Sequence, residues 1–189
     1  MKKLASLIFA TCAAIATAAH AEGAGQSAIH LADSPSVAFI GDSIDWNVHF
    51  GKDGRDIVLS PRASVANETN MIFLTPGGPA AYDIAKNGAA TPDNDRRIVQ
   101  NGGTLELAPR RVSILELPGE ITRVEASRSL RLHIMGEADH RYVALKYLPF
   151  HDSRIKETGR LTVTTDSGTY SFDVAVGAGA PVYRLATPI

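Results

Sequence analysis

The chain has 189 residues and nearly balanced charge, with 19 Lys and Arg against 20 Asp and Glu. Nucleic acid is therefore not expected as a direct partner, because phosphate binding needs a clustered positive surface. The single cysteine, Cys12, excludes a disulfide framework, so the fold must depend on its apolar core. The length suffices for one ordinary domain or two small ones.

The N-terminus has the pattern of a secretory signal peptide. Two lysines precede an alanine-rich apolar run that ends in the small-residue site Ala19-His20-Ala21. We predict cleavage after Ala21, so that residues 1–21 are the signal peptide and the mature chain enters the periplasm. No later stretch approaches the roughly 18 apolar residues that a membrane-spanning helix needs.

The remainder of the chain is predicted to be all-β. Its apolar segments are short, rich in β-branched or aromatic residues and bounded by Gly, Pro, Asn or Asp, which is typical of strands. The first series of predicted strands is Ala28-Leu31, Val37-Ile40, Asp45-Phe50, Asp56-Leu59, Asn70-Leu74 and Ala80-Ala85. The second series is Thr104-Leu107, Val112-Leu117, Ile121-Glu125, Leu130-Ile134, Tyr142-Leu148, Arg160-Thr165 and Thr169-Val176. Asp166-Ser167-Gly168 predicts a tight hairpin between the last two.

Between the two series lies a polar stretch with almost nothing to bury, which we interpret as a linker at 87–97. This gives two consecutive small antiparallel β-sandwich-like modules, at 26–86 and 98–178, and a tail at 179–189 that adds to a sheet edge or docks on a partner. The pairs Arg96-Arg97 and Arg110-Arg111 are interpreted as solvated loop charges.

The two series resemble each other, which indicates a duplicated module. At an offset of about 84 residues, Leu31 aligns with Leu115 and His49 with His133. At about 88 to 90 residues, Pro61 aligns with Pro149 and Tyr82 with Phe172. Pro76-Gly77-Gly78-Pro79 stands where the second copy has its hairpin, and predicts a looser strand pair or one at a sheet edge.

One alternative is a serine hydrolase. An apolar strand runs into Gly41-Asp42-Ser43, which resembles the first sequence block of the GDSL hydrolases and would make Ser43 the nucleophile. The later blocks of that family are missing, including the Asp-x-x-His that supplies the base. The short connections also leave no room for the helices that join parallel strands. We therefore expect no catalytic residue.

No cofactor or metal is expected. The histidines after the signal, which are His30, His49, His133, His140 and His151, show no tight ligand spacing. Asp93-Asn94-Asp95 lacks the glycine and the distal glutamate of a calcium loop, and is interpreted as a solvated turn.

Over a longer span the sequence resembles another family. Gly41-Asp42-Ser43, Trp46, a strand that ends in Pro61, and the pair Thr69-Asn70 resemble the N-terminal β-domain of TrbG-type conjugal-transfer subunits. The second half, with Pro149 and the aromatic hairpin at Tyr170 and Phe172, is similar to the related TraK-type subunits. These families belong to the outer-membrane core complex of type IV secretion systems. Members of the family usually carry a further C-terminal domain, so the resemblance leaves two alternatives, a full core-ring subunit or a reduced accessory one.

The residues that carry this resemblance have structural explanations. Gly41 and Asp42 can turn the chain between strands, Trp46 can fill a small sandwich core, and Thr69-Asn70 can begin a strand. The resemblance implies a periplasmic structural or accessory subunit of a conjugative secretion apparatus. Its partners would be other channel subunits, including further copies in a ring, with the outer membrane contacted only peripherally. A periplasmic chaperone or adaptor with immunoglobulin-like domains is the other alternative.

Overall fold

The computed structural model describes residues 26–62, 66–126, 132–138, 140–147 and 158–186, and for 132–138 it describes the backbone alone. The predicted signal peptide, Pro149 and His151 lie outside the described residues. The described part of the chain consists of strands and turns, without a helix. The predicted all-β fold class is therefore confirmed.

The strands of the first half form two antiparallel sheets. Its strands are β1 Ser27–His30, β2 Val37–Ile40, β3 Trp46–Phe50, β4 Asp56–Pro61, β5 Thr69–Thr75, β6 Gly78–Ile84 and β7 Ala90–Asp93. Sheet A has the order β1-β4-β3, and sheet B has the order β2-β5-β6-β7. The core between them contains Trp46, Ile57, Leu59, Met71 and Phe73. We call sheets A and B together module 1.

The second half forms two mixed sheets. Its strands are β8 Arg96–Val99, β9 Thr104–Leu107, β10 Val112–Glu116, β11 Ile121–Ala126, β12 Leu132–Ala138, β13 Tyr142–Tyr147, β14 Thr158–Thr165, β15 Gly168–Val176 and β16 Val182–Leu185. Sheet C has the order β12-β13-β10-β16-β8, and sheet D has the order β11-β14-β15-β9. Leu105, Leu145, Leu161 and Phe172 lie in the core between them. We call sheets C and D together module 2.

The two modules share one strand plan. The order β1-β4-β3 recurs as β10-β13-β12, and β2-β5-β6 recurs as β11-β14-β15. The register recurs as well, since Ile29 pairs with Ile57 as Ser113 pairs with Leu145. These matches follow the offsets seen in the sequence, so the topology supports the duplication.

The hairpin predicted to be loose is regular. β5 and β6 pair along seven residues, and Thr75 pairs with Gly78 as Thr165 pairs with Gly168 in module 2. Both glycines have positive φ, at 102° and 148°, which costs a glycine little. Each threonine hydroxyl donates to the glycine carbonyl, at 2.9 and 3.2 Å. Two glycines in the first turn therefore weaken the sequence signal without weakening the strand pair.

The interpretations of 87–97 as a linker and of 179–189 as a tail are corrected. β7 pairs with β6, and β8 pairs with β16. β16 lies inside sheet C, parallel to both β10 and β8, and buries Val182, Tyr183 and Leu185. Each of these strands is four residues long. That is too short for an alternation of polar and apolar side chains to be recognised in the sequence.

A third apolar layer joins the modules. Phe39, Ile72 and Leu74 of sheet B pack with residues of sheet C, namely Val112, Ile114, Tyr142, Ala144 and Val182. Sheets B and C are therefore covered on both faces, which is why β5 is buried at six of its seven positions. The order of the layers is A, B, C and D, with an apolar core in each gap.

We expect the two modules to unfold together because they share this layer. The chain's one tryptophan, Trp46, reports on module 1. Leu161→Ala truncates a fully buried side chain in module 2, at a cost of about 2 to 5 kcal/mol. In denaturant titrations of this variant, the Trp46 fluorescence midpoint should fall together with the far-UV circular dichroism midpoint. An unchanged Trp46 midpoint would show that the modules unfold independently.

Candidate functional site

The turn predicted from Gly41-Asp42-Ser43 lies where module 1 meets module 2. The hydroxyl of Thr69 accepts a hydrogen bond from the Asp42 N–H and donates one to the Arg110 carbonyl, each at 2.8 Å. One threonine side chain therefore fastens the turn to the segment that enters β10. Thr69 is completely buried, so neither bond competes with water.

Asn70 makes the closest polar link between the modules. Its side-chain amide donates to the Val112 carbonyl and accepts from the Val112 N–H, both at 2.7 Å. These are the two bonds that a neighbouring strand would make to Val112, so the side chain of Asn70 satisfies the backbone where β10 begins. Asn70 is 1% exposed, and both of its polar groups are satisfied.

Gly41 permits the close approach of the two chains here. A Cβ atom at this position would lie 2.3 Å from the Arg110 carbonyl oxygen and 2.7 Å from the Arg111 Cα. Both of these are backbone atoms of module 2, so rotation of a side chain cannot relieve the contact. The glycine is therefore required by the distance between the modules, and its backbone does not adopt the positive φ that would favour glycine in the turn itself.

Charged groups surround this junction. Asp42 accepts hydrogen bonds from the N–H groups of Ile44 and Asp45, which closes its own turn, and it lies 3.9 Å from Arg110 Nε. Arg111 hydrogen-bonds Asp83 of module 1. Burial lowers the pKa of Arg111, and the charge of Glu68 opposes that shift. The interpretation of Arg110-Arg111 as solvated loop charges is therefore wrong for Arg111, which is half-buried in an ion pair between the modules.

The other predicted residues lie within one module each. Trp46 is 1% exposed and its indole N–H donates to the Asn67 carbonyl at 2.9 Å; Pro61 pairs with it in register. Phe172 is fully buried in the core of module 2, and Tyr170 packs partly buried against that core. Trp46 therefore has the core position that the sequence predicts.

Ser43, the residue of the hydrolase alternative, is exposed on the turn. In the ranges described, no hydrogen bond joins Ser43 to a histidine. His30 Nδ1 instead lies 2.6 Å from Asp56, and His140 Nδ1 lies 3.6 Å from Glu120. The side chain of His133 lies outside the description.

The described residues contain no group of three His, Cys, Asp or Glu side chains that could hold a metal ion. They also contain no helix of the length and hydropathy that a membrane crossing requires. Comparison with protein-family models, with curated proteins and with solved structures gives no significant match.

The two outer faces of the stack, on sheets A and D, are polar, whereas the faces between neighbouring sheets are apolar. On sheet D, Thr162 contacts Ser171 and Thr164 contacts Thr169, with 3.3 Å between the hydroxyl oxygens of each pair. By the repeat offset, the equivalents of Thr162, Thr164 and Ser171 on sheet B are the apolar Ile72, Leu74 and Ala81. On sheet A, His30 and Asp56 stand where sheet C has Ile114 and Ala144. Polar outer faces are typical of the terminal units of a repeat stack.

The signal that predicts the shared layer is present in the sequence. Asn70-Met71-Ile72-Phe73-Leu74 is a continuous apolar run after its first residue, and such a run indicates a strand covered on both faces. The partners of Asn70 and Gly41 have no comparable signal, because Val112 lies 42 residues from Asn70 and Arg110 lies still farther from Gly41 along the chain.

We expect Asn70→Ala to destabilise the protein by about 2 to 4 kcal/mol, because it leaves a buried N–H and a buried C=O of Val112 unpaired. Chemical denaturation measures the change. The matched control is Arg160→Ala at the equivalent position of module 2, where the side chain is exposed and should contribute less than about 1 kcal/mol. Equal losses in the two variants would contradict the assigned role of Asn70.

Gly41→Ala should lower the thermal midpoint and reduce the coupling between the modules, because its new methyl group meets backbone atoms. Gly77→Ala is the control, since its Cβ would have an ordinary 3.6 Å contact and Ser167 occupies the equivalent position in module 2. Calorimetry should show one transition for Gly77→Ala and a broader or split transition for Gly41→Ala. An unchanged melt of Gly41→Ala would contradict the proposed close approach.

Proposed function

We propose that this protein is an exported structural subunit that acts by binding other proteins through its strand edges, as an accessory of a conjugative type IV secretion apparatus. Binding through strand edges is supported by the distribution of polar and apolar surface on the stack. The inner faces are used to join the two modules, and the outer faces present hydroxyl and charged side chains. The edge strands of the four sheets are what remain to bind a partner.

Strand edges are suited to this role. Each described sheet ends in two strands that pair on one side only, so their outward N–H and C=O groups can accept a further strand. Such pairing demands little of the partner's sequence, since backbone groups make most of its bonds. The rigid junction at Asn70 and Gly41 would hold the edges of both modules at fixed positions for neighbouring subunits.

The assignment to a secretion apparatus has separate support. It rests on the resemblance of Gly41-Asp42-Ser43, Trp46 and Thr69-Asn70 to TrbG-type subunits, and on a signal peptide pattern that predicts a periplasmic place of action. In this protein Gly41, Thr69 and Asn70 contact module 2, and Trp46 fills the core of module 1, so these resembling residues have structural roles. A structural role of this kind suits a subunit of a large assembly.

Affinity purification of the tagged protein from its native envelope, after mild crosslinking, tests the proposal. We expect secretion-channel subunits to co-purify, and Ser43→Ala to leave that association unchanged because Ser43 belongs to no edge strand. Recovery of the protein without any channel subunit would contradict the assignment. Turnover of an activated ester that is lost in Ser43→Ala would favour the hydrolase instead.

A further inference from the structure

We propose that β3 of one copy of this chain pairs antiparallel with β3 of a second copy, so that sheet A continues from one molecule into the other across a two-fold axis. This inference rests on the proposed function, which is binding through strand edges, and it names the chain itself as the partner of one edge. It is supported by the exposed apolar side chains, the unpaired backbone groups and the charges around β3.

β3 lacks the features that protect the edge of a sheet. Charged side chains and proline on an edge strand oppose pairing with another chain. Five of the edge strands, β7, β8, β9, β11 and β12, each contain a charged residue, and β7 contains a proline as well. The other three, β1, β2 and β3, contain neither, and β3 is the longest of them.

Exposed apolar side chains are concentrated around β3. In the part of the chain that the structure describes, four large apolar side chains are exposed, and they are Ile44, Phe50, Val58 and Ile98. Phe50 is the last residue of β3 and is 49% exposed, Ile44 lies two residues before the strand, and Val58 pairs with His49. Three of the four therefore lie in or beside one edge strand, as expected of a surface that a partner covers.

The backbone of β3 directs alternate groups away from its neighbour β4. The Gly51 N–H, just after β3, donates to the Asp56 carbonyl, so the odd-numbered residues of β3 bond to β4. In an antiparallel pair the alternate residues direct their N–H and C=O groups to the other side. These residues are Trp46, Val48 and Phe50, and the described residues place no strand on that side of β3.

Two copies of this edge fit each other in an antiparallel pair centred on Val48. Residues that bond toward each other across an antiparallel pair lie directly opposite and exchange both hydrogen bonds. Val48 then lies opposite its own equivalent and Trp46 opposite Phe50, and cross-strand pairs of β-branched and aromatic side chains are stabilising. On the other face of the sheet His49 lies opposite Asn47. This register pairs all five residues of β3, whereas a pair centred on His49 would pair fewer and would place two imidazoles opposite each other.

The turns at the two ends of β3 carry opposite charges. Asp45 immediately precedes the strand, and Lys52 follows it by two residues. Hydrogen bonds from Asn67 lower the pKa of Asp45, so its carboxylate is charged at neutral pH. Antiparallel pairing brings the turn before β3 of one copy beside the turn after β3 of the other, so Lys52 approaches Asp45 at both ends of the contact. The apolar stem of Lys52 can also cover Ile44 while its ammonium group stays in water.

This contact is isologous, so it closes at two copies and leaves the other edge strands free for other subunits. A pair of five-residue strands with their turns makes a small contact beside the roughly 1,200 Å² of a stable interface. We therefore expect a weak, concentration-dependent dimer of the free protein. Within an assembly that holds both copies, the higher effective concentration strengthens the same contact.

Disulfide crosslinking of the full chain tests the register, with Cys12→Ser in every preparation. His49 of one copy and Asn47 of the other would form a non-hydrogen-bonded pair with Cα atoms about 4.5 Å apart, which is within the range of a disulfide. Two equivalent positions, such as both His49 residues, would lie about 7 to 8 Å apart. Mixing His49→Cys with Asn47→Cys under mild oxidation should therefore give several-fold more covalent dimer than either variant alone.

A mixture of His49→Cys with Thr169→Cys, on the outer face of sheet D, is the control and should stay at the level of the single variants. Crosslinking of the control mixture to the same extent would overturn the proposal. So would crosslinking of either single variant to the extent of the His49→Cys and Asn47→Cys mixture.

A second pair of variants tests the apolar part of the contact. Phe50→Lys should lower the dimer fraction several-fold in sedimentation velocity. Ile98→Lys should leave it unchanged, since Ile98 is more exposed, at 77%, but belongs to β8. The fluorescence of Trp46 shows whether module 1 remains folded in each variant.

Equal dimer fractions in folded Phe50→Lys and Ile98→Lys would overturn the proposal. Channel subunits that co-purify with a chain giving neither a dimer nor the mixed crosslink would overturn this pairing and leave the proposed function standing.

Discussion

The structure depends on the apolar layer between sheets B and C. Without this layer, the side chains of Phe39, Ile72 and Leu74 on sheet B would be exposed to water. Those of Val112 and Ile114 on sheet C would be exposed as well. Burial of such side chains contributes about 1.5 to 3 kcal/mol each relative to exposure. Separated modules would therefore be less stable and would expose an apolar patch that favours aggregation. The chain is therefore best understood as one stack of four sheets, although it contains two copies of one strand plan.

The polar contacts around this layer fix its geometry. Apolar surfaces attract without direction, whereas Asn70, Thr69 and Gly41 each require one placement of β10 relative to the turn. The side chain of Asn70 makes the two hydrogen bonds to the Val112 backbone that a neighbouring strand would make. Gly41 allows the backbones of the two modules to approach closely. The proposed function by edge binding would need this precision, because the edges of one module must keep a fixed position relative to those of the other.

Duplication and divergence explain the distribution of side chains. The same positions carry Ile72 and Leu74 in the first copy, where a sheet covers them, and Thr162 and Thr164 in the second, where none does. The second copy also gains β16 and β8 beside β10, while the equivalent edge of β1 is unpaired among the described residues. Each copy thus keeps the same strand order. The two copies differ in the side chains of one face and in the strands at one edge, according to what their place in the stack exposes.

The sequence by itself determined the all-β class, the strands with clear apolar patterns, the buried Trp46 and the repeat, because local alternation and turn residues encode these features. Tertiary structure decided the rest. β7, β8 and β16 are strands because neighbours pair with them, and Asn70, Gly41 and Arg111 join the modules because distant backbone groups lie beside them. Pairings of this kind join residues far apart in the chain, and no local pattern of polarity can record which two segments will meet.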